Sequence, residues 1–151
     1  MTKKLLFRSQ IVVDVCDQHI VDKHTWHFHG RGYVSTYIDG KQVHLHRLIF
    51  PEYPLMDHKN TNKLDNRRLN LRECTLESNN QNRNLSKANT SGFKGVYYKK
   101  KVKSWWAYIS AYGVRMSLGQ YKTAKEAALA YNNAAIKYHG KFANLNKLEV
   151  L

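Results

Sequence analysis

Residues 80–92, NQNRNLSKANTSG, constrain the fold more than any other stretch of this chain. They follow neither a helical nor an extended apolar period and are rich in Asn and Ser, which is the composition of a linker. A chain of 151 residues interrupted there reads as two small domains rather than one core. The boundaries are 1–82, a linker 83–91, and 92–151. Charge divides at nearly the same place. Residues 1–45 carry six cations and four anions, 46–86 seven and five, and 87–151 twelve and two. The last part therefore holds +10 of the formal +14, with two of the three Trp. Such a field draws polyanions, nucleic acid first and anionic membrane second, and says little about fold.

Cys16 and Cys74 are too few and too far apart for a disulfide framework or a CxxC zinc knuckle, so both read as reduced, buried thiols. The apolar run LLF at 5–7 is too short for a signal-peptide core. Nothing approaches the roughly 20 apolar residues of a membrane span. The expectation is a cytoplasmic monomer with no membrane partner.

The pattern is that of an α+β protein. QIVVDV at 10–15 is β-branched and reads as a strand. RGYVSTYIDGKQVHLH at 31–46 is two alternating runs joined by Asp39-Gly40, a hairpin signal. HRLIF starts a short helix that Pro51 and Pro54 stop. A strand, a long polar loop, the strand LRECT and a helix from about Leu76 follow, with Thr75 as N-cap and Glu77 in the first turn. After the linker come three strands, GVYYKK, SWWAYISAY and VRMSLGQY, with Gly113 at the second turn. An Ala-rich helix then runs from a Thr123 cap to Gly140.

The loop in MDHKNTNKLDNRRLNLRECT, 56–75, holds far more chemistry than bending requires. Phosphodiester hydrolysis needs a base for water and positive charge at the scissile phosphate. His58 titrates in the right range for that base. Asp57 offers the hard anionic oxygen that Mg²⁺ prefers, and an Asn carbonyl on the following helix adds a second ligand. Taken singly, Asp65 and Asn66 read as turn residues and Asn70 as an ordinary loop Asn. Neighbours on a regular strand point to opposite faces, so Asp57 and His58 reach one site only where the strand ends.

Together, LHRLIF, MDH, NKLDNRRLNLR and T-x-x-x-NN resemble the HNH nucleases of homing-endonuclease type, built on the ββα-metal motif. The resemblance implies one divalent ion, Mg²⁺ or Mn²⁺, bound by Asp57 and Asn79, with His58 activating water. Asn70 would brace the loop that orients His58. Asn80 competes with Asn79 as the ligand. NTN stands where the family often has a Gly, and Asn79 stands at the third letter of the motif. Arg47, Lys63, Arg67, Arg68 and Arg72 flank the site and are candidates for phosphate contacts.

In SWWAYISAY, alternation puts Trp105, Ala107 and Ile109 on one face and Trp106, Tyr108 and Ser110 on the other. The Ala face of the last helix (Ala127, Ala128, Tyr131, Ala134, Ala135, Tyr138) suits the first of these. The second, with Arg115 and lysines, is left as an aromatic and basic surface suited to nucleic acid, unless the linker covers Trp106. SGFKGV, WWAYI and LGQYKTAKEAALAYNNAAIKYHGKFANLN resemble the AP2 DNA-binding domain over 91–146. That resemblance places duplex contacts on Lys94, Tyr97, Lys99, Trp106, Tyr108, Arg115 and Ser117. Tyr97 and Ser117 depart from the Arg and Trp of plant members, so the bases read should differ.

The combined reading is a site-directed, metal-dependent DNA endonuclease that nicks one strand, with an AP2-like anchor. The alternative is a DNA-binding regulator without activity. An RNA-binding role fits the sheet face less well. The pairs His27/His29 and His44/His46 share strand faces and could hold zinc, but no third ligand has suitable spacing.

Overall fold

A computed structural model describes residues 10–30, 32–86 and 88–148. By contacts the chain separates into two compact units, one ending at Thr75 and the other beginning at Leu76. This division falls earlier than the Asn- and Ser-rich stretch that marks the linker in composition.

In the first unit, β1 (His27–His29), β2 (Tyr33–Ile38) and β3 (Lys41–His44) form an antiparallel sheet with β2 central. Asp39 and Gly40 both have positive φ, 49° and 73°. This is the two-residue turn whose twist matches a hairpin, so the local signal was enough. Helix α2 (Leu45–Ile49) ends just before Pro51. Strands β4 (Met56–His58) and β5 (Leu71–Glu73) form a separate antiparallel pair that places Asp57 opposite Arg72 and His58 opposite Leu71. Val21, Trp26, Val34, Leu45, Ile49, Met56 and Leu71 make the core. Each contributes roughly 1.5–3 kcal/mol if fully buried, a modest total for a unit of this size. Polar ties carry much of the remaining definition.

Residues 10–15 do not form a strand of the sheet. Val12 makes a single parallel bridge to Asp65, and the chain then turns through Val15–Asp17 into helix α1 (Gln18–Lys23), which the sequence pattern did not reveal. The cause is long-range. Asp14 accepts a hydrogen bond from the Arg68 amide at 2.7 Å, and the Arg68 guanidinium grips Asp17 with two bonds of 2.8 Å. Those contacts override β-branched propensity. Cys16 sits on the outside of this turn and is exposed, contrary to expectation, because Asp17 takes the inward position. Cys74 is buried, which pushes its thiol up to about 11.

The Arg68 hydrogen bonds hold the Asp17 carboxyl below the usual carboxylate range. A depressed folded-state pKa adds stability above the unfolded value near 3.9, and that stability is lost as pH falls through the folded one. Below about pH 4 the first unit should therefore lose stability more steeply in wild type than in Asp17→Asn. Asp17→Asn should be the less stable protein at pH 7. Melting temperatures of both proteins from pH 7 to 3 check this, and parallel curves would contradict it.

The second unit opens with α3 (Leu76–Asn82), followed by an antiparallel sheet of β6 (Val96–Lys99), β7 (Ser104–Ala111) and β8 (Val114–Tyr121) in that order. Helix α4 (Ala124–His139) crosses one face, started by a reciprocal capping box between Thr123 and Glu126. Ala107 and Ile109 meet Ala127, Ala128, Tyr131, Ala134 and Ala135, as alternation predicted. Small side chains let helix and sheet come close. Gly95, at φ +74°, shows how close: a Cβ there would lie 2.1 Å from the Tyr131 ring. A bulge in β8 opposite Ala107 and Tyr108 was not legible in the sequence. Gly119, at φ +116°, absorbs it. It keeps Leu118 against the helix while Ser117 and Gln120 pair with Tyr108 and Trp106.

Helix α3 is fastened within this unit. Glu77 accepts from the Tyr112 amide at 2.6 Å. Lys94 Nζ donates to the carbonyls of Gln81 and Arg83 at 2.5 and 2.8 Å, and Asn144 donates to that of Asn82 at 2.8 Å. No helix among the described residues is long and apolar enough to cross a membrane.

Candidate functional site

Asn70 closes the polar loop from both ends. Its side-chain amide donates to the Asp65 carbonyl at 2.6 Å, and its Oδ1 accepts from the Asn60 amide at 3.0 Å. Its own carbonyl accepts from Lys59 N–H at 2.8 Å. Asp65 accepts from Asn60 Nδ2 at 2.9 Å and from two Arg67 nitrogens at 2.8 Å each. The Arg67 bonds also hold the Asp65 carboxyl below its usual range. Asp65, Asn66 and Asn70 are all buried, so these bonds satisfy groups that water cannot reach. The loop is thereby cross-linked without a glycine, and Thr61 takes the positive φ of its turn, 62°.

His58 ends β4 and is 3% exposed. Its Nε2 lies 3.2 Å from Asn66 Oδ1. Asn66 Nδ2 donates to the Lys63 carbonyl at 3.1 Å, which turns the amide oxygen toward the imidazole. An amide oxygen only accepts, so in the neutral ring the proton sits on Nε2 and the lone pair on Nδ1. His46 meets the ring edge-on at 5.3 Å, and Tyr33 lies 6.1 Å away. Burial lowers the His58 pKa, with the Asn66 bond opposing it, and burial pulls His46 down to about 3. Both rings are neutral near pH 7, the state in which a histidine can accept a proton. Asn66 is a hydrogen-bond partner of His58. In sequence it looked like a turn former, and its one signal was its place in the same loop.

Asp57 faces the other way. Arg72, directly opposite on β5, binds its Oδ2 through Nε at 3.1 Å and Nη2 at 2.7 Å. The remaining flanking cations are placed differently from one another. Arg67 and Arg68 are ion-paired to Asp65 and Asp17, Lys63 lies over the Tyr33 ring at 4.1 Å, and Arg47 is exposed. Three of the five cations thus brace the unit through carboxylates.

Asp57 offers a hard carboxylate oxygen of the kind an oxygen-preferring cation takes, but on this strand it points away from His58 and is held by Arg72. Among the described residues no three His, Cys, Asp or Glu side chains converge on a metal position. His44 instead bonds Ser35 at 2.7 Å and stacks on Tyr33. Asn79 and Asn80 lie on α3, in the second unit, half-buried and exposed respectively.

On the sheet face turned away from α4, Tyr97, Trp106 and Tyr108 form a stacked row, with ring centres 5.0 Å and 6.3 Å apart across Tyr108. Lys99 Nζ sits 3.5 Å over Trp106 and the Arg115 guanidinium 4.5 Å over Tyr108. Ser117 is exposed beside Tyr108. Trp106 is half-buried by these cation contacts and by Tyr108. Lys94 is different. Its ammonium is committed to two carbonyls, and burial lowers it to about 8.

The chain is 33% identical over 138 residues to an uncharacterized HNH endonuclease of Acanthamoeba polyphaga mimivirus, covering 86% of this chain and 71% of that protein. It belongs to the HNH endonuclease family. Over 60 residues, 40% of the chain, it is 35% identical to APETALA2-like protein 2 of Oryza sativa subsp. indica, covering 14% of that protein. An AP2-like ethylene-responsive transcription factor of Arabidopsis thaliana matches at 33% over the same length, with 12% of it covered. The three-stranded sheet packed on one long helix has the AP2 fold. No family model matches the chain, and no solved structure matches it.

Proposed function

We propose that this protein is a divalent-metal-dependent DNA endonuclease that cuts one strand of a duplex bound through its AP2-type sheet. The observation that carries this reading is His58: buried, neutral near pH 7, and fixed by Asn66 with its lone pair on Nδ1. In that state it takes a proton from the attacking water. Asn70 keeps the loop, and therefore Asn66, in place. Asp57 is the ligand for Mg²⁺ or Mn²⁺, with Asn79 or Asn80 as the second by the family pattern. The cation, when bound, supplies positive charge for the scissile phosphate and the leaving 3′ oxygen. Products are then a 5′-phosphate and a 3′-hydroxyl. Tyr97, Lys99, Trp106, Tyr108, Arg115 and Ser117 contact the duplex. A homing role in a phage or mobile element is the biological setting this arrangement suits.

The test is relaxation of supercoiled plasmid by the purified protein. Mg²⁺ should give nicked circles and EDTA none. Tight duplex binding without nicking in Mg²⁺ or Mn²⁺ would support the second reading, a DNA-binding regulator. One observation favours that reading: the Arg72 guanidinium already holds Asp57.

A further inference from the structure

The loop between β6 and β7 consists of a single turn, Lys100–Val102, followed by Lys103 at φ 45°. Lys100, Lys101 and Lys103 are exposed, and none forms an ion pair among the described residues. The unit has little to offer them. No Asp or Glu occurs from residue 88 to 125. Its described acids are Glu77 and Glu126, and both accept backbone amides: Glu77 from Tyr112, Glu126 from Lys122 and Thr123. Three ammonium groups within four residues repel one another, and one sits in a left-handed conformation that side chains rarely adopt. A polyanion relieves that repulsion. The loop also continues the strand that presents Tyr97 and Lys99, while Lys94 is already engaged by carbonyls.

We propose that this loop is a phosphate clamp: Lys100, Lys101 and Lys103 bind backbone phosphates of duplex DNA beside the aromatic face. The clamp sets affinity and salt dependence and leaves sequence choice to the sheet. This rests on the duplex-binding reading above. Each phosphate neutralised adds about −0.9 to the slope of log K against log salt.

The full chain is titrated onto fluorescent duplexes in EDTA between about 50 and 200 mM salt. The triple variant Lys100→Gln/Lys101→Gln/Lys103→Gln should lose about 3 from the slope and weaken by the same factor on every duplex. Lys125→Gln/Lys137→Gln, on the α4 side of the sheet, controls for net charge and should change the slope by less than about 1. A triple variant with the wild-type slope overturns the clamp, as does a control variant showing the full loss. Weakening confined to one sequence overturns it too, as does stronger loop-dependent binding to anionic vesicles than to duplex. If wild type binds no duplex at all, the duplex-binding reading itself falls.

Discussion

His58→Ala is expected to slow strand cleavage by about 10²–10⁴-fold, the usual contribution of a positioned general base. Duplex binding in EDTA should stay within about twofold, because contacts made by the sheet of the second unit and to phosphates do not use this ring. The ring is buried against His46, Tyr33 and Asn66, so the alanine also leaves a hole. His58→Gln fills much of that space without an imidazole and separates the two effects. A structural role alone would let the Gln variant recover cleavage along with melting temperature. The account expects it to recover melting temperature only. Cleavage by both variants at the wild-type rate would remove His58 from the chemistry.

Arg72→Ala should destabilise the first unit by about 3–5 kcal/mol. The Arg72 and Asp57 side chains are only 11% and 8% exposed, so removing the guanidinium breaks the ion pair of a carboxylate that water barely reaches. At about 4–8 °C per kcal/mol for a unit of this size, melting should fall by roughly 12–40 °C. Asp57→Asn/Arg72→Ala should regain a large part of that loss, since the buried negative charge that Arg72 balances is removed with it. Equal melting of the single and double variants would contradict this. Arg72 looked like a phosphate contact in sequence. Its place opposite Asp57 in the strand register is what makes it a counter-charge.

That contrast separates what the sequence could and could not reveal. Asp39-Gly40, the Thr123 cap and the alternation in β7 act through their immediate neighbours, so composition and spacing found them. The Asp57-His58 pair stood out because so much polar chemistry surrounds it in one loop. The failures share a different cause. Arg68 reaches Asp17 across 51 positions, turning an expected strand into a turn and helix and leaving Cys16 outside. Lys94 finds the end of α3, and Asn66 finds an imidazole, through partners that no local pattern marks. The β8 bulge follows from keeping Leu118 against the helix, a packing demand visible only once the sheet is assembled. Local signals therefore marked the polar loop, while long-range contacts decided which residues touch within it.

The most direct measurement compares wild type, Asp57→Asn and His58→Gln on supercoiled plasmid in Mg²⁺, after each is shown to bind duplex in EDTA. The account predicts that all three bind and only wild type nicks. Nicking by His58→Gln at the wild-type rate, or intact plasmid with a wild-type protein that binds duplex, would contradict it.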